Sequence, residues 1–253
     1  MDDEERPSAF GGLIRGVAFI SSAAACAALV VFGWVHPWLL AVVGAGAAAY
    51  FARRYWVRAR LTRLLMRGDV DGVLEHWSES FDRIPYVETM APLIHATAFA
   101  AFGRVDDART ALAAAARGPA WDAALEHRIF LDALLAIFEG DAPHAKEQAA
   151  RLGALPIPRE SELATRVSGL RGAVAALARA FEHTAEPGDL TCLESASETS
   201  PLVHWAMRYG AAIVAIDAGD KPRARTLIEN APNWPSESAF RSFHDELANV
   251  LAT

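Results

Sequence analysis

The sequence predicts an all-α protein: an apolar helical hairpin near the N-terminus, then an array of about four to five helix pairs closed by a last helix. Three observations carry this. Residues Val17 to Val35 hold no charge, and after a His36-Pro37 break Trp38 to Ala52 are again uncharged. From Leu61 onward apolar residues recur at helical spacing, with no strand-like alternation. Glycines with a small or β-branched residue five positions on punctuate that stretch: Gly68 with Val73, Gly103 with Ala108, Gly140 with Ala145 and Gly219 with Ala224. The chain therefore divides into an acidic tail (1–12), the hairpin (13–57) and a helical domain (58–253).

The hairpin comes first. A membrane span needs about 20 apolar residues. Leu13 to Val35 meets this, with Arg15 near enough to the end to snorkel. The second arm reaches span length over 38–57 if Arg53 and Arg54 snorkel too. Trp34 and Trp38 stand at the turn, and Tyr55 and Trp56 at the far end. Trp38 to Trp56 spans about 27 Å of helix, with amphipathic rings at both interfaces. Ala24, Ala28, Gly44 and Ala48 lie at four-residue spacings that suit close helix packing. A buried hairpin of a soluble protein is the alternative. The acidic Met1 to Glu5 speaks against a cleaved signal peptide, whose start is basic. Val42 to Ala49 fits G-x-G-x-x-A, but the stretch that follows is basic and helical where a dinucleotide fold needs a strand ending in an acid.

Orientation follows from charge. The turn holds no arginine, whereas Arg53, Arg54, Arg58, Arg60, Arg63 and Arg67 follow the second arm. Cytoplasmic flanks carry such excesses, so both termini are expected in the cytoplasm, at the inner membrane. The tail carries −3, residues 13–67 carry +7 and the whole chain −7, which leaves −11 for residues 68–253. That sign disfavours nucleic acid, whose phosphates want cations, and favours a basic protein partner. The juxtamembrane arginines suit lipid headgroups. Cys26 and Cys192 are too far apart in sequence and context to suggest a redox or zinc pair. Lysine is nearly absent (Lys146 and Lys221) beside abundant alanine and arginine, a composition that fits a GC-rich bacterial genome.

The helical domain is read turn by turn. Gly68 to Gly103 is 35 residues, Gly103 to Gly140 is 37, and Gly140 to Gly219 is 79, room for two units with one degenerate turn. Prolines follow at Pro85, Pro119, Pro156 and Pro235, where they stop a helix. The glycine ends a first helix in a left-handed turn, and the small residue lets paired helices cross closely. A helix from about Arg159 to Glu182 is too long for one unit; Glu186 to Asp189 breaks it. Ser200-Pro201 reads as a helix start. Pro235-Ser236 opens a capping helix with Phe240, Phe243, Leu247 and Val250 on one face.

These segments resemble tetratricopeptide repeats. Ala91 to Pro119 is the best match, with Ala96, Phe99, Gly103, Ala108, Leu112 and Ala115 in frame. Ala133, Gly140, Ala145 and Pro156 follow it, as do Ala212, Gly219, Ala224 and Ala231. The signature aromatic of the first helix is missing, and Glu160 to Thr199 departs from the frame, so a diverged helical solenoid remains the alternative. The resemblance implies a protein-binding scaffold or adaptor with a concave face. The lysine–asparagine carboxylate clamp of one subset is not expected, because no asparagine precedes Asn230.

No catalytic constellation, metal site or cofactor site is expected. Glu75-His76, Glu126-His127 and Glu182-His183 are adjacent pairs whose side chains point about 100° apart on a helix. They read as solvated or capping histidines. There is no H-E-x-x-H, G-x-S-x-G or Walker-type loop. Trp77, Trp121, Trp205 and Trp234 read as core. A non-catalytic subunit of a membrane enzyme, or an envelope protein acting through hairpin homo-oligomerisation, are the rival roles.

Overall fold

The computed structural model of the chain describes residues 37–78, 81 and 84–253. All regular structure there is helical, with no strand among the described residues. The helices are α1 (Pro37–Arg67), α2 (Val70–Ser78), α3 (Val87–Ala101), α4 (Val105–Ala115), α5 (Leu125–Glu139), α6 (Ala142–Ala154), α7 (Ser161–Phe181), α8 (Asp189–Thr199), α9 (His204–Asp217), α10 (Lys221–Ile228) and α11 (Ala239–Ala252). A 3-10 turn, Asp122–Ala124, precedes α5. The chain separates into two compact units, residues 1–59 and 60–253.

In the first unit the described part belongs to α1. Every residue from Ala41 to Val57 is exposed, including Tyr50, Phe51, Tyr55 and Trp56. Among the described residues nothing lies within 4 Å of a Cβ placed on Gly44 or Gly46. No helix among the described residues is long and apolar enough to cross a membrane. The second arm expected over 38–57 is a helix that runs on to Arg67; its uncharged run stops at Ala52, and Arg53 and Arg54 follow. The continuous helix over 42–49 also removes the dinucleotide reading. The first expected span, its flanking Trp34 and the acidic tail lie outside the described residues.

The second unit is built on repeated turns. Gly68, Gly103, Gly140 and Gly219 all take positive φ, from 67° to 80°. At Gly140 the turn satisfies two orphan carbonyls: the Asp141 amide donates to Ala136 O at 2.9 Å and the Gly140 amide to Ile137 O at 3.1 Å. That is the hydrogen-bond pattern of a helix closed by a left-handed residue. The degenerate turn after α7 uses the same pattern without glycine, on His183 at φ 56°. An aspartate follows three of the glycines and caps the next helix. Asp69, Asp141 and Asp220 accept from the amides of Gly72, His144 and Arg223 at 3.0, 3.2 and 3.1 Å, each cap contributing about 1 kcal/mol.

Helices pair across these turns as α3/α4, α5/α6 and α9/α10, with α7 against both α6 and α8. Ala108, Ala145 and Ala224 are buried in the second helix of their pairs. The inner helices follow one another, α3 on α5, α5 on α7, α7 on α9, and α9 returns to α3. The array thus closes on itself instead of presenting a long open concave face. The seam is sealed by the C-terminal segment. Ser238 donates to Phe102 O at 2.6 Å, and the Ala239 amide donates to Gly103 O at 2.9 Å. A Cβ on Gly103 would stand 3.0 Å from the Phe240 ring, so this close approach as well as the φ of 67° requires glycine.

Two helix starts differ from expectation. After Ser200-Pro201 the chain makes a turn, and α9 begins only at His204. The last helix begins at Ala239, not Pro235, because Ser238 supplies the cap by accepting from the Phe240 amide. In that helix Leu251 is buried and Val250 exposed.

Candidate functional site

The N-terminal half of α5, the first half of α7, the end of α3 and the 200–203 turn surround a half-open cavity of about 430 Å³. Its walls are mostly apolar. Ala100 and Ala101 come from α3, Phe130 and Leu134 from α5, Val167 and Leu170 from α7. Small side chains on α3 and on the 3-10 turn leave the space; longer ones on α5 and α7 line it. The size falls within the usual range of ligand sites, about 300–1,000 Å³.

A few polar groups converge at this site. The Thr97 hydroxyl donates to Leu93 O at 2.8 Å, so it accepts from His127 Nε2, 2.7 Å away. That assigns the proton of a neutral His127 ring to Nε2 and leaves Nδ1 as an acceptor. Burial lowers the His127 pKa, against a smaller opposing pull from the Glu126 carboxylate, so the ring is neutral at pH 7. Arg171 is 7% exposed. Its Nε and Nη2 donate to Glu126 Oε1 at 3.1 and 2.7 Å, Nη1 to Leu155 O at 2.7 Å, and Nη2 to Pro156 O at 3.3 Å. A buried guanidinium with one carboxylate and two carbonyls is a satisfied ion. It ties α7 to α5 and to the strap after α6.

Three exposed apolar side chains flank this lining. Leu125 (38% exposed) precedes Glu126, Ile157 (56%) follows Pro156, and Leu163 (46%) lies one helical turn before Val167. Exposed apolar residues that adjoin an apolar cavity mark an interaction surface more than scattered ones do.

The other titratable groups act as struts. Arg109 bridges Asp132 and Glu139, and His144 Nε2 meets Asp132 Oδ2 at 2.9 Å, which joins α4, α5 and α6. Burial pushes the Asp132 pKa up, but the hydrogen bonds from Arg109 and His144 outweigh it and the net shift is down. His183 pairs with Asp217 at 2.9 Å across successive turns. Burial raises the Cys192 thiol, which makes it a poor nucleophile. Among the described residues no three His, Cys, Asp or Glu side chains gather as a metal site would need.

Sequence reasoning and structure meet unevenly here. Gly68, Gly103, Gly140 and Gly219 stand at inter-helix turns, and Ala108, Ala145 and Ala224 are buried. Trp38, Arg53, Arg54, Tyr55 and Trp56 are all exposed on α1; Trp34 and the Arg58 side chain lie outside the described residues. Trp205 and Trp234 are core, while Trp121 is half-buried under the Arg128 guanidinium, 4.4 Å from its ring centre. His127 is the miss: expected in solvent, it faces the cavity. The signal was its stride with Phe130, Leu131 and Leu134, one face of a helix.

No family model, no curated protein and no solved structure matches this chain.

Proposed function

We propose that this chain is a membrane-associated scaffold or adaptor that works by binding, with the half-open cleft between α3, α5 and α7 as its receptor site. The single observation that carries the reading is that cleft: a mostly apolar cavity with few polar groups and an apolar rim. Its groups are arranged to hold, not to react, since Arg171 and Thr97 are spent on Glu126, His127 and backbone carbonyls. A protein partner docks on Leu125, Ile157 and Leu163. The tetratricopeptide-like frame of the helix pairs supports the same role.

The anchor is the N-terminal apolar segment, residues 13–57, with both termini on the cytoplasmic side. A helix that is apolar all round and exposed all round needs apolar surroundings, and residues 41–52 of α1 are such a stretch. Its arginines then lie at anionic headgroups. The acidic domain steers a basic partner towards it, and confinement to a surface raises local concentration without catalysis.

Co-purification of the full chain from its own cells tests this. A distinct protein should accompany it, and the Ile157→Asp, Leu163→Asp double variant should lose that protein while keeping its melting temperature. Self-association alone, or release of the whole chain by alkaline carbonate, would refute the scaffold and the anchor respectively.

A further inference from the structure

We infer that the cavity behind this rim is a binding site for a single hydrocarbon chain ending in an uncharged polar group, as in a long-chain alcohol or an amide-linked acyl chain. The inference rests on the cleft being the working site, and on nothing at its rim. Shape argues first. The cavity offers about 430 Å³ between mostly apolar walls, within the usual range of small-ligand sites, and one slender chain suits it.

Hydrogen bonding argues next. An extended peptide would bring a donor and an acceptor with every residue, each costly to bury unpaired. The walls cannot meet that demand. Thr97 both donates and accepts already, and Arg171 is spent on Glu126, Leu155 and Pro156. A hydrocarbon chain asks for no partner and gains from every apolar wall it covers.

Charge argues last and sets the end group. Among the described residues the charged side chains of the lining are Glu126 and Arg171, which neutralise each other at 2.7 Å. A carboxylate or ammonium carried inside would meet no free counter-ion and would keep its desolvation cost. An uncharged hydroxyl or amide can instead donate to His127 Nδ1 or to Glu126 Oε2, neither of which takes part in the bonds above.

Photolabelling tests this on the full chain reconstituted in phosphatidylcholine vesicles. The probes are a diazirine-bearing hexadecanol, its carboxylic acid and alkylammonium counterparts, and an uncharged peptide acylated with the same diazirine chain. The alcohol or the acylated peptide should label the lining segments of α5 and α7 about tenfold more than the two charged probes do. The stronger of the two tells whether the chain comes from the bilayer or rides on a partner. Ala101→Phe and Leu170→Trp, which fill the cavity from different helices, should each remove most of that labelling without lowering the melting temperature. Equal labelling by charged and uncharged probes, labelling confined to α1, or labelling untouched by either folded variant would overturn the inference. A rim-dependent protein partner without cavity labelling would leave the scaffold reading standing and this one refuted.

Discussion

The two halves of α5 and α7 make opposite uses of apolar side chains. Towards their C-terminal ends Phe138 and Phe181 meet Phe240 and Phe243 of α11, at ring distances of 5.2 and 4.9 Å. Tyr209 and Trp234 complete the plug, 5.5 and 5.1 Å from Phe240, and the Trp234 indole donates to the Tyr209 hydroxyl at 2.6 Å. Towards their N-terminal ends the same helices face alanines and a turn, and a void stays open. Both ends are apolar, so hydrophobicity does not distinguish them. Side-chain volume does: six rings close one end, and Ala100, Ala101 and Ala124 leave the other ajar. A filled end and an open end thus lie on the same helices.

The largest expected effect lies in the plug. Phe240 is completely buried and touches rings from α5 and α9 as well as Trp234. Phe240→Ala should cost about 3–5 kcal/mol, read as a fall in denaturation midpoint of residues 60–253. It also frees the seam at Gly103. A loss below about 1 kcal/mol would mean that the aromatic end is not the stabilising one.

Next comes the helix crossing between those ends. Ala108 is buried in α4 against α3, and Ala108→Leu should overpack it by about 1–3 kcal/mol. The same change at the exposed Ala113 should be nearly silent. An equal response at both positions would break the pairing of α3 with α4.

The smallest effect belongs to the cleft and depends on pH. Burial holds the His127 pKa below its ordinary value of 6.5. Below that value the unfolded chain takes up a proton that the folded chain refuses, so stability falls as pH drops through about 6.5. Urea midpoints at pH 8 and pH 5.5 should differ more for the native chain than for His127→Gln, whose amide can still donate to Thr97. His95 and His204 share the direction of shift, each through burial first, so part of the pH dependence remains in the variant. An unchanged dependence would place His127 in solvent, as its sequence context alone suggests.

That misreading shows how far periodicity reaches. Gly68, Gly103, Gly140 and Gly219 were legible because a left-handed turn selects glycine locally, whatever packs around it. The equivalent turn at His183 was not, since no glycine marks it and the Asp217 contact and the flanking hydrogen bonds hold it. Ser200-Pro201 carried a proper start signal, yet α9 begins three residues later. The turn there lines the cleft, and Leu202 and Val203 face it. By contrast the apolar run from Trp38 was plain to read, and so was its continuation past Arg53, because no proline or glycine lies between Gly46 and Gly68.

By itself the sequence determined the helical class, the positions of most turns, the small residues between paired helices and the division of charge. Each of these is a local property, set by backbone preference or by spacing of a few residues. Only the tertiary structure decided that α9 returns to α3, that Ser238 and Phe240 seal the seam, and that Arg171 turns inward to Glu126. These contacts join residues 45 to 136 positions apart. Whether a cavity survives between them depends on summed volumes from four helices, and no local pattern carries that sum.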